Sequence, residues 1–359
     1  MAWVQPQYSR GQVDAAGRIL VPALTVGSAE PPEDSEAALN DALTIINNWR
    51  ASHSYPLLAF RMTLTKRARG IDDRVVIAQR LKRLSSIQVK LMRNPKMALS
   101  RVHDIGGCRA VVRNVARVNR IVRLYEDSHA RNPHVRAEFV RKYDYIAQPK
   151  EDGYRSVHLV YKYRTGSARQ TAWNGLRIEI QVRTRLQHAW ATAVETVDTF
   201  TNQALKTGGG KEEWRRFFVL MGSAIALKER TPPCPNTPTF VGELKSELRA
   251  AVEKLNVRTV LRGWSRAMKY LPTRTTRDAT VYLLYLDSAE ERIKVTAFPS
   301  AQQAKASEVY LSTEKMIRDR PTAQAVLVSV GSLQSLRTAF PNYFADTTAF
   351  LQAVDSAVR

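Results

Sequence analysis

The chain has 359 residues, with 55 Lys and Arg against 33 Asp and Glu for a formal net charge of +22. Its 44% hydrophobic and 25% charged residues are the composition of a globular chain long enough for two ordinary domains, which excludes a disordered or fibrous protein. Two cysteines exclude a disulfide scaffold and a Cys-rich zinc module, no apolar run is long enough for a membrane helix, and MAWVQPQYSRGQ lacks a signal-peptide core, so the chain reads as soluble and cytoplasmic.

In chain order, a first helix is predicted after Ser35, a capping residue, with apolar positions at Leu39, Leu43, Ile46 and Trp49 and a stop at Pro56. Val75 to Met92 reads as a basic amphipathic helix with one break, since Ile77, Leu81, Leu84 and Ile87 recur at helical spacing. Cys108 to Val112 reads as a strand after Gly106-Gly107, Val115 to Tyr125 as a helix, and Ser156–Tyr163 and Leu176–Thr184 as strands. A helix follows from Arg185 to about Leu205, ended by Gly208-Gly209-Gly210. Strands alternating with helices predict a mixed α/β sheet with flanking helices.

Residues 231–238 hold four of the sixteen prolines and mark the best boundary in the chain. The domains expected are therefore 1–230, a linker and connector helix over 231–258, and 259–359. The connector carries Val241, Leu244, Leu248, Val252 and Leu255 on a narrow seam. Beyond it the chain reads strand (Thr280–Leu286), strand (Arg292–Phe298), helix (Ala301–Ile317), strand (Ala325–Val330) and helix from about Leu333, a ββαβα unit. Charge is unevenly shared: residues 1–230 carry +17 and residues 231–359 carry +5. A field of that sign concentrates polyanions, nucleotides and nucleic acids among them.

Four segments offer chemistry. Arg61 to Arg93 holds ten Lys or Arg against two acids, which suits a polyphosphate and equally a solvated basic face. Asp104 precedes Gly106-Gly107, and with Glu179 it supplies the one or two carboxylates that Mg²⁺ takes beside substrate phosphates. Tyr154, Ser156 and His158 lie at alternate positions after the Asp152-Gly153 turn, an aromatic, a hydroxyl and an imidazole suited to a base and a phosphate. In Arg177 to Arg183 the polar residues Arg177, Glu179, Gln181 and Arg183 alternate with Ile178, Ile180 and Val182, a pattern that a half-solvated strand would also give. His188 and Trp190 follow directly.

Taken in order, Arg80-x-Lys82 with Ser86-Ile87-x-x-Lys90, Asp104-Ile105-x-Gly107-x-Arg109, Asp144-Tyr145-Ile146-x-x-Pro149-Lys150-x-x-Gly153-Tyr154-x-Ser156-x-His158 and Glu179-Ile180-Gln181-Val182-Arg183-Thr184 with His188 resemble the synthetase domain of the RelA/SpoT superfamily. The resemblance covers about residues 35–230. It implies a nucleotidyltransferase-like α/β fold that transfers pyrophosphate from ATP to a nucleoside 3′-hydroxyl and releases AMP. It assigns Arg80 and Arg109 to the adenine, Lys82, Ser86 and Lys90 to the ATP phosphates, and Asp104 and Glu179 to Mg²⁺, Glu179 being also the candidate base. Lys150, Tyr154, His158, Gln181 and Arg183 fall to the acceptor, Tyr154 stacking on its base.

Tyr8-Ser9-Arg10 through Ala15-Ala16-Gly17 and Asn48-Trp49-Arg50-x-x-His53 with Pro56-Leu57 further resemble the fused toxin–antitoxin members called CapRel. That resemblance implies a monomeric toxin acting on the 3′-CCA end of tRNA, with GDP or GTP as the alternative acceptor. It also implies a C-terminal pseudo-zinc-finger domain that holds the enzyme inactive until it meets a phage capsid protein. The aromatic pair over the ATP site would be Phe340 and Tyr343, where Phe replaces the first tyrosine of the Tyr-x-x-Tyr pattern and one hydroxyl is lost. A catalytically dead RNA- or protein-binding module is the reading from another class, and the presence of both acids argues against it.

Overall fold

The computed structural model describes residues 3–21, 33–131, 137–201, 212–255, 257–258, 261, 279–287, 292–318, 320, 323–329 and 348–359. Helix α1 (Arg10–Leu20) begins at a reciprocal cap, in which the Ser9 hydroxyl accepts from the Gln12 amide while the Gln12 side chain accepts from the Ser9 amide. Helices α2 (Glu33–Ser52) and α3 (Ser54–Arg69) follow. Pro56 does not end a helix as its type suggests: it sits in the first turn of α3, where its missing N–H has no intrahelical partner to lose.

The segment predicted as a basic helix with one break is a strand followed by a helix. Strand β1 (Val76–Leu81) runs antiparallel to β2 (Gly106–Val112), and only after Lys82 and Arg83 does helix α4 (Leu84–Arg93) begin. The β-branched run Val75-Val76-Ile77 favours the strand, and the four-residue interval from Ile77 to Leu81 mimicked a helical repeat. Helix α5 (Val115–Arg131), strands β3 (Ala137–Asp144), β4 (Val157–Tyr163) and β5 (Arg177–Thr184), and helix α6 (Arg185–Thr201) complete this part. Helix α6 starts at a second reciprocal cap, Thr184 with Gln187, which turns the chain from strand to helix within one residue. Gly208 to Gly210, the predicted stop, lie outside the described residues.

Five strands are ordered β3-β4-β5-β2-β1, with β2 and β5 parallel and the other neighbours antiparallel. The fold is thus the mixed α/β sheet with flanking helices that the sequence predicts. Its principal core lies beneath one face, where Cys108, Ala110, Ile178, Ile180 and Val182 pack with Ile46, Leu57, Leu64, Ile87 and Ile121 from the helices. The sheet then continues through β8 (Ala323–Ser329), β6 (Ala279–Asp287) and β7 (Arg292–Pro299), β8 pairing with β1 at Arg80 and Val328. Helix α9 (Gln303–Met316) lies between β7 and β8 in sequence, so the ββαβ order is the predicted one. Its small core holds Leu283, Phe298, Ala306, Tyr310 and Ala325. The pseudo-zinc-finger character implied for this unit is not shown, and both cysteines are free and buried in other parts of the chain.

A third core joins α6 to α7 (Glu212–Glu229), α8 (Val241–Lys254) and α10 (Thr348–Val358), through Trp190, Trp214, Phe217, Phe218, Leu244, Leu248, Val252, Phe350 and Val354. The seam of α8 therefore packs back on the helices that precede it. The last helix does likewise and packs on α6, α7 and α8 rather than on the ββαβ unit. The Pro-rich segment is also anchored: Arg155, 2% exposed, donates to the Ile146 carbonyl, the Thr231 hydroxyl and the Pro232 carbonyl.

One turn in this region demands glycine. Gly153 has φ of +87°, and a Cβ there would lie 3.0 Å from the Phe218 carbonyl oxygen and 3.0 Å from the Trp190 ring. Gly153→Ala is expected to cost about 1–3 kcal/mol of stability, read as a lower denaturant midpoint with an unchanged slope.

Candidate active site

Strand register assembles the site. Arg80 on β1 opposes Gly107 on β2, which opposes Glu179 on β5, which opposes Val160 on β4. Two residues along, Ala78, Arg109, Gln181 and His158 form another row. Directly opposed residues, and residues two apart, share a face. Arg80, Arg109, Glu179, Gln181, Arg183 and His158 therefore occupy the face opposite the core.

At one end of this face three ionised groups meet. Asp104, in the approach to β2, accepts from Lys82 Nζ at 2.7 Å and from Lys90 Nζ at 2.8 Å, one lysine on each oxygen. Burial opposes its charge, but the two ammonium groups outweigh that cost and hold the carboxyl below the usual carboxylate range. Burial draws Lys82 below its ordinary value in spite of Asp104, whereas Lys90, more exposed and also facing Glu179, is raised. Lys82 closes the β1 end and Lys90 lies on α4, so the strand-to-helix turn brings them together. Ser86 sits half-buried in the first turn of the same helix.

Beside them runs a polar relay. Glu179 Oε2 accepts from Gln181 Nε2 at 2.6 Å, Glu179 Oε1 accepts from His158 Nδ1 at 3.1 Å, and His158 Nε2 lies 2.8 Å from the Tyr154 hydroxyl. Arg183 donates to His188 Nδ1. Burial opposes the charge on His158, but the Tyr154 oxygen and the Glu179 carboxylate outweigh it and push the imidazole up to about 9. The ring is then an imidazolium at neutral pH, donating through both nitrogens. Its charge, with the Gln181 amide, keeps Glu179 below the ordinary carboxylate value despite burial and the nearby charge of Asp104. Tyr154 is likewise lowered against its burial by His158 and Arg183. Arg183 is pushed down to about 10 by burial, with Arg80 adding to the effect.

The aromatic side of the site is larger than the motif alone implied. Tyr145 meets Tyr154 and His158 edge-on, with centroids 6.0 and 5.2 Å away, and stacks on Tyr143 at 5.8 Å. Exposed Lys150 holds its Nζ 4.4 Å from the Tyr145 ring centroid. Tyr145 stands within the motif, but nothing in the linear pattern separates its role from that of Asp144, which accepts from the Ile146 and Ala147 amides to form the turn. Ser156 is fully buried, and its hydroxyl donates to the Val182 carbonyl. Phe340 and Tyr343 lie outside the described residues.

Asp104 and Glu179 together are a donor set suited to Mg²⁺ carried in by substrate phosphates. Both are held below the ordinary carboxylate value, both are hard oxygen donors, and Asp104 sits close enough for its charge to act on Glu179. Among the described residues no group of three or more metal-binding side chains forms a metal cage made of protein alone.

Residues 79–201 match the family described as a region found in RelA / SpoT proteins. This part of the chain is similar to that region. It contains every candidate donor and acceptor residue from Arg80 to Arg183. The chain is 30% identical over 118 residues to GTP pyrophosphokinase YwaC of Bacillus subtilis (strain 168), which is 32% of the chain and 52% of that relative. It is 28% identical over 195 residues to the probable GTP diphosphokinase RSH2, chloroplastic, of Oryza sativa subsp. japonica, or 48% of the chain and 24% of the relative. The chain thus spans about half the length of the first relative and a quarter of the second. Among solved structures, small alarmone synthetase 1 of Bacillus subtilis bound to its product pppGpp aligns over 52% of this chain and 91% of that one, at 22% identity and a TM-score of 0.41.

The relay makes stability depend on pH. Because folding raises His158 above its unfolded value of about 6.5, its contribution is complete below that pH and is lost as pH rises through about 9. A thermal-unfolding series from pH 6 to 10 is expected to show this loss in the wild type and a flatter profile in His158→Gln.

Proposed function

We propose that the chain transfers the β,γ-pyrophosphate of ATP to a 3′-hydroxyl, with the RelA/SpoT region as its catalytic part. The observation that carries this reading is the Asp104 carboxylate seated between Lys82 and Lys90 on the face that also bears the ionised Glu179. Such transfer forms a bond from the acceptor oxygen to the β-phosphorus and breaks the bond to the bridging oxygen of AMP, while the hydroxyl proton leaves. It makes little covalent demand on the protein and a large demand for positioned positive charge.

Lys82, Ser86 and Lys90 would hold the phosphates of ATP, with Arg80 and Arg109 about its adenine. Mg²⁺, held by Asp104 and Glu179, would supply charge neutralisation on the transferred group. A carboxylate kept below its ordinary value, as Glu179 is, makes a weak base, so metal binding and orientation of the hydroxyl suit it better than proton abstraction. Tyr154, buttressed by Tyr145, would stack on the acceptor base, with Lys150, His158, Gln181 and Arg183 around the acceptor phosphate or sugar.

For the acceptor, the 3′ end of tRNA is our reading, because residues 1–230 carry +17 and a mononucleotide offers few phosphates to that field. GDP or GTP is the second reading, favoured by the names of the two curated relatives. We further propose, on the CapRel resemblance, that residues 259–359 form a regulatory unit that responds to a phage capsid protein.

Purified protein given labelled ATP with either tRNA or GDP decides between acceptors. Labelling of tRNA that falls steeply with salt is expected, and salt-insensitive labelling of GDP alone would reverse the choice. Asp104→Ala and Glu179→Ala are each expected to lower transfer at least ~10²–10³-fold while circular dichroism stays unchanged. Full turnover in either variant would end the pyrophosphotransfer reading.

A further inference from the structure

Arg50, on α2, is 1% exposed, an unusual place for a guanidinium, and every nitrogen of it finds an acceptor. Its Nε donates to the Lys82 carbonyl at 3.1 Å, its Nη1 to Asn47 Oδ1 at 3.1 Å and to Glu314 Oε2 at 2.8 Å, and its Nη2 to the Tyr310 hydroxyl. Tyr310 in turn donates to Glu314 Oε1 at 2.7 Å, and its ring lies 5.0 Å from the guanidinium carbon. Burial lowers Arg50, yet Glu314 and Tyr310 outweigh it and raise the guanidinium above its ordinary value.

Two of these contacts reach the proposed donor site from behind. The Lys82 carbonyl faces Arg50 while the Lys82 ammonium faces Asp104, so Arg50 grips the backbone of the residue whose head group meets that acid. Helix α4, which carries Ser86 and Lys90, has Arg83 at its N-cap and no side-chain cap of its own. Its first amide, Leu84 N, instead donates to Glu314 Oε1 at 3.4 Å, a carboxylate supplied from α9, 230 positions along the chain. A carboxylate at a helix N-terminus satisfies an orphan donor and complements the helix dipole.

We infer that Arg50, Tyr310 and Glu314 form a positioning cluster through which the C-terminal ββαβ unit sets the turn between β1 and α4, and with it the placing of Lys82, Ser86 and Lys90 against ATP. The inference rests on the donor-site reading above. None of the three residues touches the reacting atoms. The cluster acts through Lys82 and the start of α4, so its loss falls on ATP and not on the acceptor.

The test uses the full chain with Glu314→Gln, which keeps shape and removes charge, and Tyr310→Phe, which removes one hydroxyl. Amide hydrogen exchange at Leu84 to Ile87 is expected to quicken in Glu314→Gln while the β2 and β5 amides keep wild-type rates. The KM for ATP is expected to rise about tenfold, with the acceptor KM and kcat little changed, and Tyr310→Phe to shift the same quantities less. Wild-type exchange in α4, a uniform loosening of the whole sheet, or faster α4 exchange with an unchanged KM for ATP would each overturn the proposal. If the wild type transfers nothing from ATP, the pyrophosphotransfer reading falls by itself, and the exchange measurement still decides whether the cluster sets α4.

Discussion

The Asp104 carboxylate between the Lys82 and Lys90 ammonium groups is the interaction on which the site depends. Two lysines brought together on a partly buried surface would repel each other strongly, and burial already draws Lys82 downward. The acid offsets that repulsion, and on the proposed function it would give way as a partner when phosphate took its place on the lysines. The same acid would then be available to hold the cation that accompanies the phosphates. Paired like this, the lysines are held in place beside a carboxylate.

The sheet makes the arrangement possible by separating chemistry from packing. Alternation puts Ile178, Ile180 and Val182 into the core, and Glu179, Gln181 and Arg183 onto the opposite face. A parallel β2–β5 pair, flanked by antiparallel β1 and β4, then sets cations, carboxylates and the His158–Tyr154 pair side by side in register. His158 is the mirror of Asp104 in this scheme: one is an anion held by two cations, the other a cation held between a carboxylate and a phenol. Each is expensive to bury alone, and each keeps its charge through its partners.

Much of this was legible in the sequence, for physical reasons that differ by element. Strand β5 declared itself because its period of two is nearly unbroken, and β6, β7, α9 and β8 because their apolar patterns are short and cleanly bounded. Most residues gathered on the site face were singled out by their places in the motifs that resemble the RelA/SpoT superfamily. A break in this segment was legible but the strand character of β1 was not, since Ile77, Leu81 and Leu84 satisfy a helical repeat as well as a strand followed by a helix. Nor were the Arg50–Glu314 pair, the burial of Ser156 or the part played by Tyr145. Each depends on segments brought together by the fold, 264 positions apart in the first case, and no local pattern encodes such a meeting.

The binding of ATP without divalent cation, measured by calorimetry in excess chelator for wild type and Asp104→Asn, tests the central claim most directly. If Asp104 occupies the lysines that receive phosphate, the variant binds ATP at least as tightly as the wild type under these conditions, although it transfers nothing when Mg²⁺ is restored. A variant that loses ATP binding in chelator, or that still transfers pyrophosphate at the wild-type rate with Mg²⁺, would contradict the account.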